Sequence, residues 1–190
     1  MKLEQLFHLL ARARQLCHHD DYVIMGSLSA LGVAGDSPVP DDMTMSIDVD
    51  CYARDDPGRV FDLVGALGEV SDYFRETGIY LDPITPQLPT LPEGWQSRLI
   101  KIERDGVRGW FLDPNDATVS KYARGEPRDR RWIRAGIEAG IVSLPLVRVR
   151  YGMTDFFDAA ERKGALARLE EDAGWFATWR NARGTGRRRS

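Results

Sequence analysis

Leu3, Leu6, Phe7, Leu10, Ala13 and Cys17 recur at three- and four-residue intervals. That spacing lines one helical face and predicts a helix over residues 3–18, ended by Asp20-Asp21. Tyr22-Val23-Ile24-Met25 is a short run of strand formers closed by Gly26-Ser27, with a brief helical segment from Leu28 to Leu31. Gly35, Pro38 and Pro40 make residues 32–42 a loop. Met45, Ile47, Val49 and Cys51 then alternate with Ser46, Asp48, Asp50 and Tyr52, which predicts a strand with one apolar and one polar face. Val60, Phe61, Val64 and Leu67 mark the buried stripe of a helix, and Ile79-Tyr80-Leu81-Asp82 reads as the next strand. Strand, helix and strand at this spacing suggest an α/β unit.

Pro83, Pro86, Pro89, Pro92, Gly94 and Trp95 make residues 83–97 an ordered, irregular crossing. Arg98 to Glu103 and Val107 to Leu112 flank Arg104-Asp105-Gly106, a hairpin signal. Beyond Pro114 the pattern turns helical around 115–124, 128–140 and 155–179, with Gly125-Glu126-Pro127 and Ser143-Leu144-Pro145 as interruptions. The expected organisation is an α/β domain over 1–113, a helical part over 114–180 and a disordered basic tail over 181–190 carrying Arg187-Arg188-Arg189. Trp95, Trp110, Trp132, Trp175 and Trp179 suit core or interdomain packing.

Composition adds little to this outline until charge is divided along the chain. The 190 residues are 43% hydrophobic, enough for one substantial core. No apolar run nears the roughly 20 residues of a bilayer span, and the amino terminus reads as an amphipathic helix, so a cytoplasmic protein without membrane partners is expected. Cys17 and Cys51 form no metal-ligand spacing and fit small buried hydrophobes. The net charge of −3 divides into −10 over residues 1–97 and +7 over 98–190. Two ordinary solvated surfaces explain that division; so do carboxylates that hold cations beside basic groups that meet a polyphosphate or nucleic acid.

Asp48 and Asp50 lie two apart on one strand and point to the same face, about 7 Å between α-carbons. An exposed polar strand face is the plain reading. Aspartate is, however, a poor strand former, and two on an otherwise well-patterned strand call for a compensating cation. Oxygen ligands without His or Cys select Mg²⁺ or Mn²⁺. Gly26 lets the backbone approach a bulky ligand, and the Ser27 hydroxyl with the amides after it suits phosphate. His8, His18 and His19 have no partner pattern for metal or nucleophilic chemistry.

Gly26-Ser27 at a strand-to-helix turn followed by Asp48-Val49-Asp50 resembles the signature of the nucleotidyltransferase superfamily typified by DNA polymerase β. Ser120-Lys121-Tyr122 and Arg128-Asp129, after a hairpin, resemble the further elements of bacterial relatives of the AbiEii abortive-infection toxins. The likeness spans residues 20–142; it departs at Thr44, where the toxin-like pattern has arginine, and in the long loop before Asp48. It implies an α+β or α/β fold, a mixed sheet flanked by helices with a helical C-terminal part. It also implies transfer of a nucleotidyl group from a nucleoside triphosphate to an RNA or protein hydroxyl through metal ions bound by Asp48, Asp50 and a third acid. Asp82 is the choice for that acid, since alternation places it with Tyr80; its plain reading is a turn former before Pro83, and Glu103 is the reserve. Lys121 then contacts triphosphate or orients the metal site, against the usual fate of a surface lysine. Asp129 pairs with Lys121 or Arg128, against a helix-dipole role. A toxin–antitoxin or phage-defence role, with a cognate antitoxin as partner, follows from the same resemblance. The alternative is a noncatalytic module that keeps the fold to bind nucleotide or a partner protein.

Overall fold

The computed structural model describes residues 1–35 and 38–186, with main chain alone for 184–186. Five strands form one mixed sheet: β1 (Asp21–Ile24), β2 (Asp48–Ala53), β3 (Tyr80–Pro83), β4 (Ile100–Arg104) and β5 (Val107–Phe111), in the order β3-β2-β1-β5-β4. β1 pairs antiparallel with β2 and parallel with β5, β2 pairs parallel with β3, and β4 and β5 make the hairpin. Its turn is Asp105-Gly106, with φ of 50° and 76°, the two left-handed residues that a tight hairpin demands. The centre of the sheet is covered on both faces: Tyr22, Val23 and Ile24 of β1 are all buried. The expected mixed sheet flanked by helices is therefore present.

Helix α1 (Leu3–Cys17) buries Leu6, Phe7, Leu9, Leu10, Ala13 and Cys17, as its periodicity predicts. The two cysteines are free and buried, and Cys17 Sγ lies 3.1 Å from the Tyr22 hydroxyl. Two expectations fail in instructive ways. β2 begins at Asp48, not Met45; Met45 and Ile47 are 64% and 50% exposed. The preceding chain instead forms a single helical turn, α2 (Asp41–Thr44), across the end of the expected loop, with Met43 fully buried as its anchor. Over residues 57–67 the buried positions are Val60, Leu63 and Leu67, while Phe61 and Val64 face outward. The reason is that Pro57–Leu63 is a 3₁₀ turn, in which residues three apart eclipse, before the short α3 (Val64–Leu67). Finally, Ser143-Leu144-Pro145 lies after the end of α6, as an interruption should, but it also opens a helix that the pattern does not predict. Pro145 falls in the first turn of α7 (Leu144–Gly152), where no N–H is needed, and Val147 is its fully buried anchor.

The remaining helices are α4 (Asp72–Thr77), α5 (Pro114–Arg124), α6 (Pro127–Glu138) and α8 (Ala159–Gly186). α4 is unanticipated; Ser71 caps it by accepting the Phe74 amide at 3.1 Å. α8 runs past the 155–179 expected, through the first residues of the anticipated tail, whose residues 187–190 lie outside those described. Buried charges tie these helices together. Asp172 of α8 accepts the Tyr122 hydroxyl at 3.0 Å and Arg134 Nε at 2.9 Å, which fixes α8 against α5 and α6. Asp116 of α5, wholly buried, takes Arg98 Nε at 2.8 Å and lies 3.4 Å from Arg150 of α7. Among the described residues no helix is long and apolar enough to cross a membrane.

Candidate functional site

Strand register assembles the acids. The parallel pairing of β2 with β3 sets Asp50 beside Asp82 and Asp48 beside Tyr80, and pleating turns Asp48 and Asp50 to the same side. One carboxylate oxygen from each of Asp48, Asp50 and Asp82 lies within 4.8 Å of the others. Asp48 is further held by the Ser46 hydroxyl, which donates to its Oδ1. Among the described residues none of the three is in an ion pair. Crowding has the expected electrostatic result. Burial, then the charges of Asp48 and Asp82, push the Asp50 carboxyl up to about 6, against the pull of Lys121 and Arg124. Asp82 is raised by burial, then by Asp48 and Glu69. Glu103 is not part of this group: it lies exposed on edge strand β4, 2.9 Å from Lys101, with β2 and β3 toward the other edge.

The glycine of Gly26-Ser27 is required by its neighbour. Its backbone has φ +59° and ψ −147°, and a β-carbon there would lie 1.9 Å from Asp50 Oδ2. Gly26 thus leaves the space that the Asp50 carboxylate occupies. Met25 N donates to Asp50 O at 2.8 Å, locking the turn to the acid strand. Trp132 of α6 holds the next residue, its indole N–H shared between Ser27 O at 3.0 Å and Met43 O at 3.1 Å. Trp132→Phe is expected to leave both carbonyls without that donor and to open a void, costing about 2–4 kcal/mol. A lower urea midpoint at unchanged m checks it; a loss below about 0.5 kcal/mol would contradict it.

Lys121 is buried, 4% exposed. Its ammonium donates to Ser27 Oγ at 3.0 Å and Asp129 Oδ1 at 3.2 Å, and lies 4.7 Å from the Trp132 ring centroid. Burial lowers its pKa, opposed chiefly by Asp129. Asp129 also takes Arg124 through both oxygens, at 3.0 and 2.6 Å, and the Glu126 amide at 3.2 Å. Burial works to raise the Asp129 carboxyl, but Arg124 and Lys121 outweigh it and hold it below the usual range. The expected partner Lys121 is therefore present, with Arg124 in place of the exposed Arg128. Arg124 was legible only as the residue one helical turn beyond Lys121.

A cleft of about 400 Å³ opens over Gly26, Asp50, Lys121 and Arg124 and is walled by Leu88 and Thr90 of the proline-rich crossing. Gly26, Asp50 and Lys121 thus share one cavity, Asp48 and Asp82 join it through the acid cluster, and Asp129 reaches it only by way of Lys121 and Arg124. Hard oxygen donors beside fixed cations are suited to a divalent metal and phosphate groups.

Among curated proteins and solved structures, none matches the chain. The family described as "Nucleotidyltransferase of unknown function (DUF6036)" matches it over residues 4–182, a span that includes the acids, the glycine turn and the buried lysine. With nearly its whole length matched, the chain belongs to the DUF6036 nucleotidyltransferase family.

Proposed function

We propose that the protein is a metal-dependent enzyme that moves a nucleotidyl group from a nucleoside triphosphate to a hydroxyl of an RNA or protein acceptor. The observation that carries this reading is the meeting of Asp48, Asp50 and Asp82 within 4.8 Å, with no protein cation in an ion pair to them among the described residues. Their donor set fits Mg²⁺ or Mn²⁺: three carboxylates, no His and no Cys. The Asp50 carboxyl is raised first by burial and then by the charges of Asp48 and Asp82, and the second of these causes is one a divalent ion would relieve. Bound metal supplies positive charge for the attacking and leaving oxygens.

The chain's own groups do the rest. Gly26 and Ser27 offer a close backbone approach and a hydroxyl to the phosphates. Lys121, desolvated and fixed on Ser27, directs its charge at the same place. Asp129 is a positioning residue, holding Lys121 and Arg124 where both face Asp50. The α/β part over 1–113 provides the acids and the helical part over 114–180 the cations, in the division of labour we propose between them. A role as the toxin of a toxin–antitoxin or phage-defence pair completes the proposal on resemblance alone, and location in the cytoplasm is proposed beside it from the sequence pattern.

Incubation with each nucleoside triphosphate labelled at its α-phosphate, with Mg²⁺ and cell extract, is expected to label an RNA or protein. Asp48→Ala is expected to abolish the label. Absence of label with every triphosphate would overturn the enzyme reading in favour of a module that binds without reacting.

A further inference from the structure

A second cleft, of about 260 Å³, reaches the acid cluster from its Asp48 end, past Ser27, Ser46 and Trp132. Arg128 and Arg131 of α6 line it. Residues three apart on a helix are neighbours, which places both arginines on the one face of α6 that borders the cleft. Among the described residues neither has an acidic partner within ion-pair distance. The other arginines around them are all engaged: Arg124 on Asp129, Arg130 on Glu171, Arg134 on Asp172. Asp42, exposed, also borders this cleft without pairing to either. Met45 and Ile47 line it too, and are the two apolar side chains that β2 leaves in solvent.

We propose that this cleft is the acceptor subsite and takes single-stranded RNA, with backbone phosphates on Arg128 and Arg131 and a base over Met45 and Ile47. The inference rests on the transferase reading and narrows its acceptor. Transfer needs two substrates that meet at the acids from different sides. The larger cleft has its own cations, Lys121 and Arg124, for a triphosphate. A second, separate pair of unneutralised guanidiniums answers a second anion, and the planar guanidinium fork matches phosphate oxygens. Unstacked bases of a single strand can lie on guanidinium planes and cover the apolar surface of Met45 and Ile47 beside them.

The test is fluorescence anisotropy of a fluorescein-labelled single-stranded RNA, which requires no turnover. The wild-type protein is expected to bind it with a marked salt dependence. Arg128→Gln/Arg131→Gln is expected to weaken binding roughly tenfold or more and to flatten the log–log salt slope by about 1.4, two single-strand phosphate contacts. Binding of a fluorescent nucleoside triphosphate should be unchanged in that variant. Arg75→Gln, on exposed α4 and paired with Asp72, should leave RNA binding unchanged. The proposal is overturned if the wild-type protein does not bind the RNA, or if the double variant binds it equally well. It is also overturned if the variant loses the triphosphate instead, which would assign the cleft to the nucleotide's tail. RNA binding lost in the variant, with no label transferred by the wild type, would keep the subsite and remove the transferase.

Discussion

Asp50→Asn is expected to abolish nucleotidyl transfer, by at least about 10³-fold, while making the metal-free protein more stable at neutral pH. The two effects share one cause. In the folded chain the Asp50 carboxyl is raised to about 6, against about 3.9 for an unperturbed aspartate. A carboxylate whose folded pKa is raised binds more protons folded than unfolded between those values, so stability falls as pH rises through the window from about 4 to about 6. Above it the full cost of the buried charge remains, on the order of 3 kcal/mol. Asparagine keeps the shape without the charge and escapes that cost. Divalent metal at high concentration should reverse the ranking, because a ligand of the native wild-type cluster would stabilise it by about 4.1 kcal/mol at a thousand times Kd. Metal affinity of the wild type should accordingly climb as pH rises through about 6, as Asp50 ionises. Thermal melts with and without Mg²⁺ at several pH values check this. An equal Mg²⁺ shift in wild type and Asp50→Asn would remove Asp50 from the metal site, and a metal-free variant less stable than wild type would refute the electrostatic account.

Much of this site was legible because strand alternation is a strict rule. Asp48 and Asp50 share a face whatever the strand's neighbours are, and the same parity puts Asp82 on the polar side with Tyr80, opposite Ile79 and Leu81. Parity says nothing about register, and it is the Asp50–Asp82 pairing of β2 with β3 that makes three acids one cluster. It also misleads where an apolar residue lies outside the ladder. Met45 and Ile47 continue the alternation of Val49 and Cys51 in sequence, yet both side chains are exposed beyond the end of β2, even though the Ile47 carbonyl still accepts the Tyr80 amide at 3.0 Å. The helical stripe between β2 and β3 was misassigned for a related reason: an apolar run does not reveal whether its turns hold three residues or 3.6. Ser143-Leu144-Pro145 marks an interruption in the helical pattern, but the pattern does not show that Pro145 also starts the next helix, as proline in a first turn readily does. The cations were harder still. Lys121 and Asp129 came from resemblance, whereas Arg124, Arg128 and Arg131 differ only in which of them finds a carboxylate, and that depends on the packing of α5, α6 and α8.

Gly26→Ala should be the most damaging single change at the turn, and its cost should split into two separable parts. The first is backbone: φ +59° with ψ −147° lies beside the region that glycine alone occupies freely, at about 1–3 kcal/mol for another residue. The second is steric, since the new methyl would fall 1.9 Å from Asp50 Oδ2 and 2.9 Å from Cγ. The carboxylate must rotate away, out of the cluster it forms with Asp48 and Asp82. A total loss of about 3–5 kcal/mol is expected, and with it the Mg²⁺ response, even where the protein remains folded. A double-mutant cycle with Asp50→Ala isolates the parts. With the carboxylate removed, Gly26→Ala should cost only the backbone share, so the two changes should be less than additive by about 1–3 kcal/mol. Strict additivity would mean that Gly26 serves the turn alone, and that the glycine before Ser27 is not there to make room for a metal-binding acid.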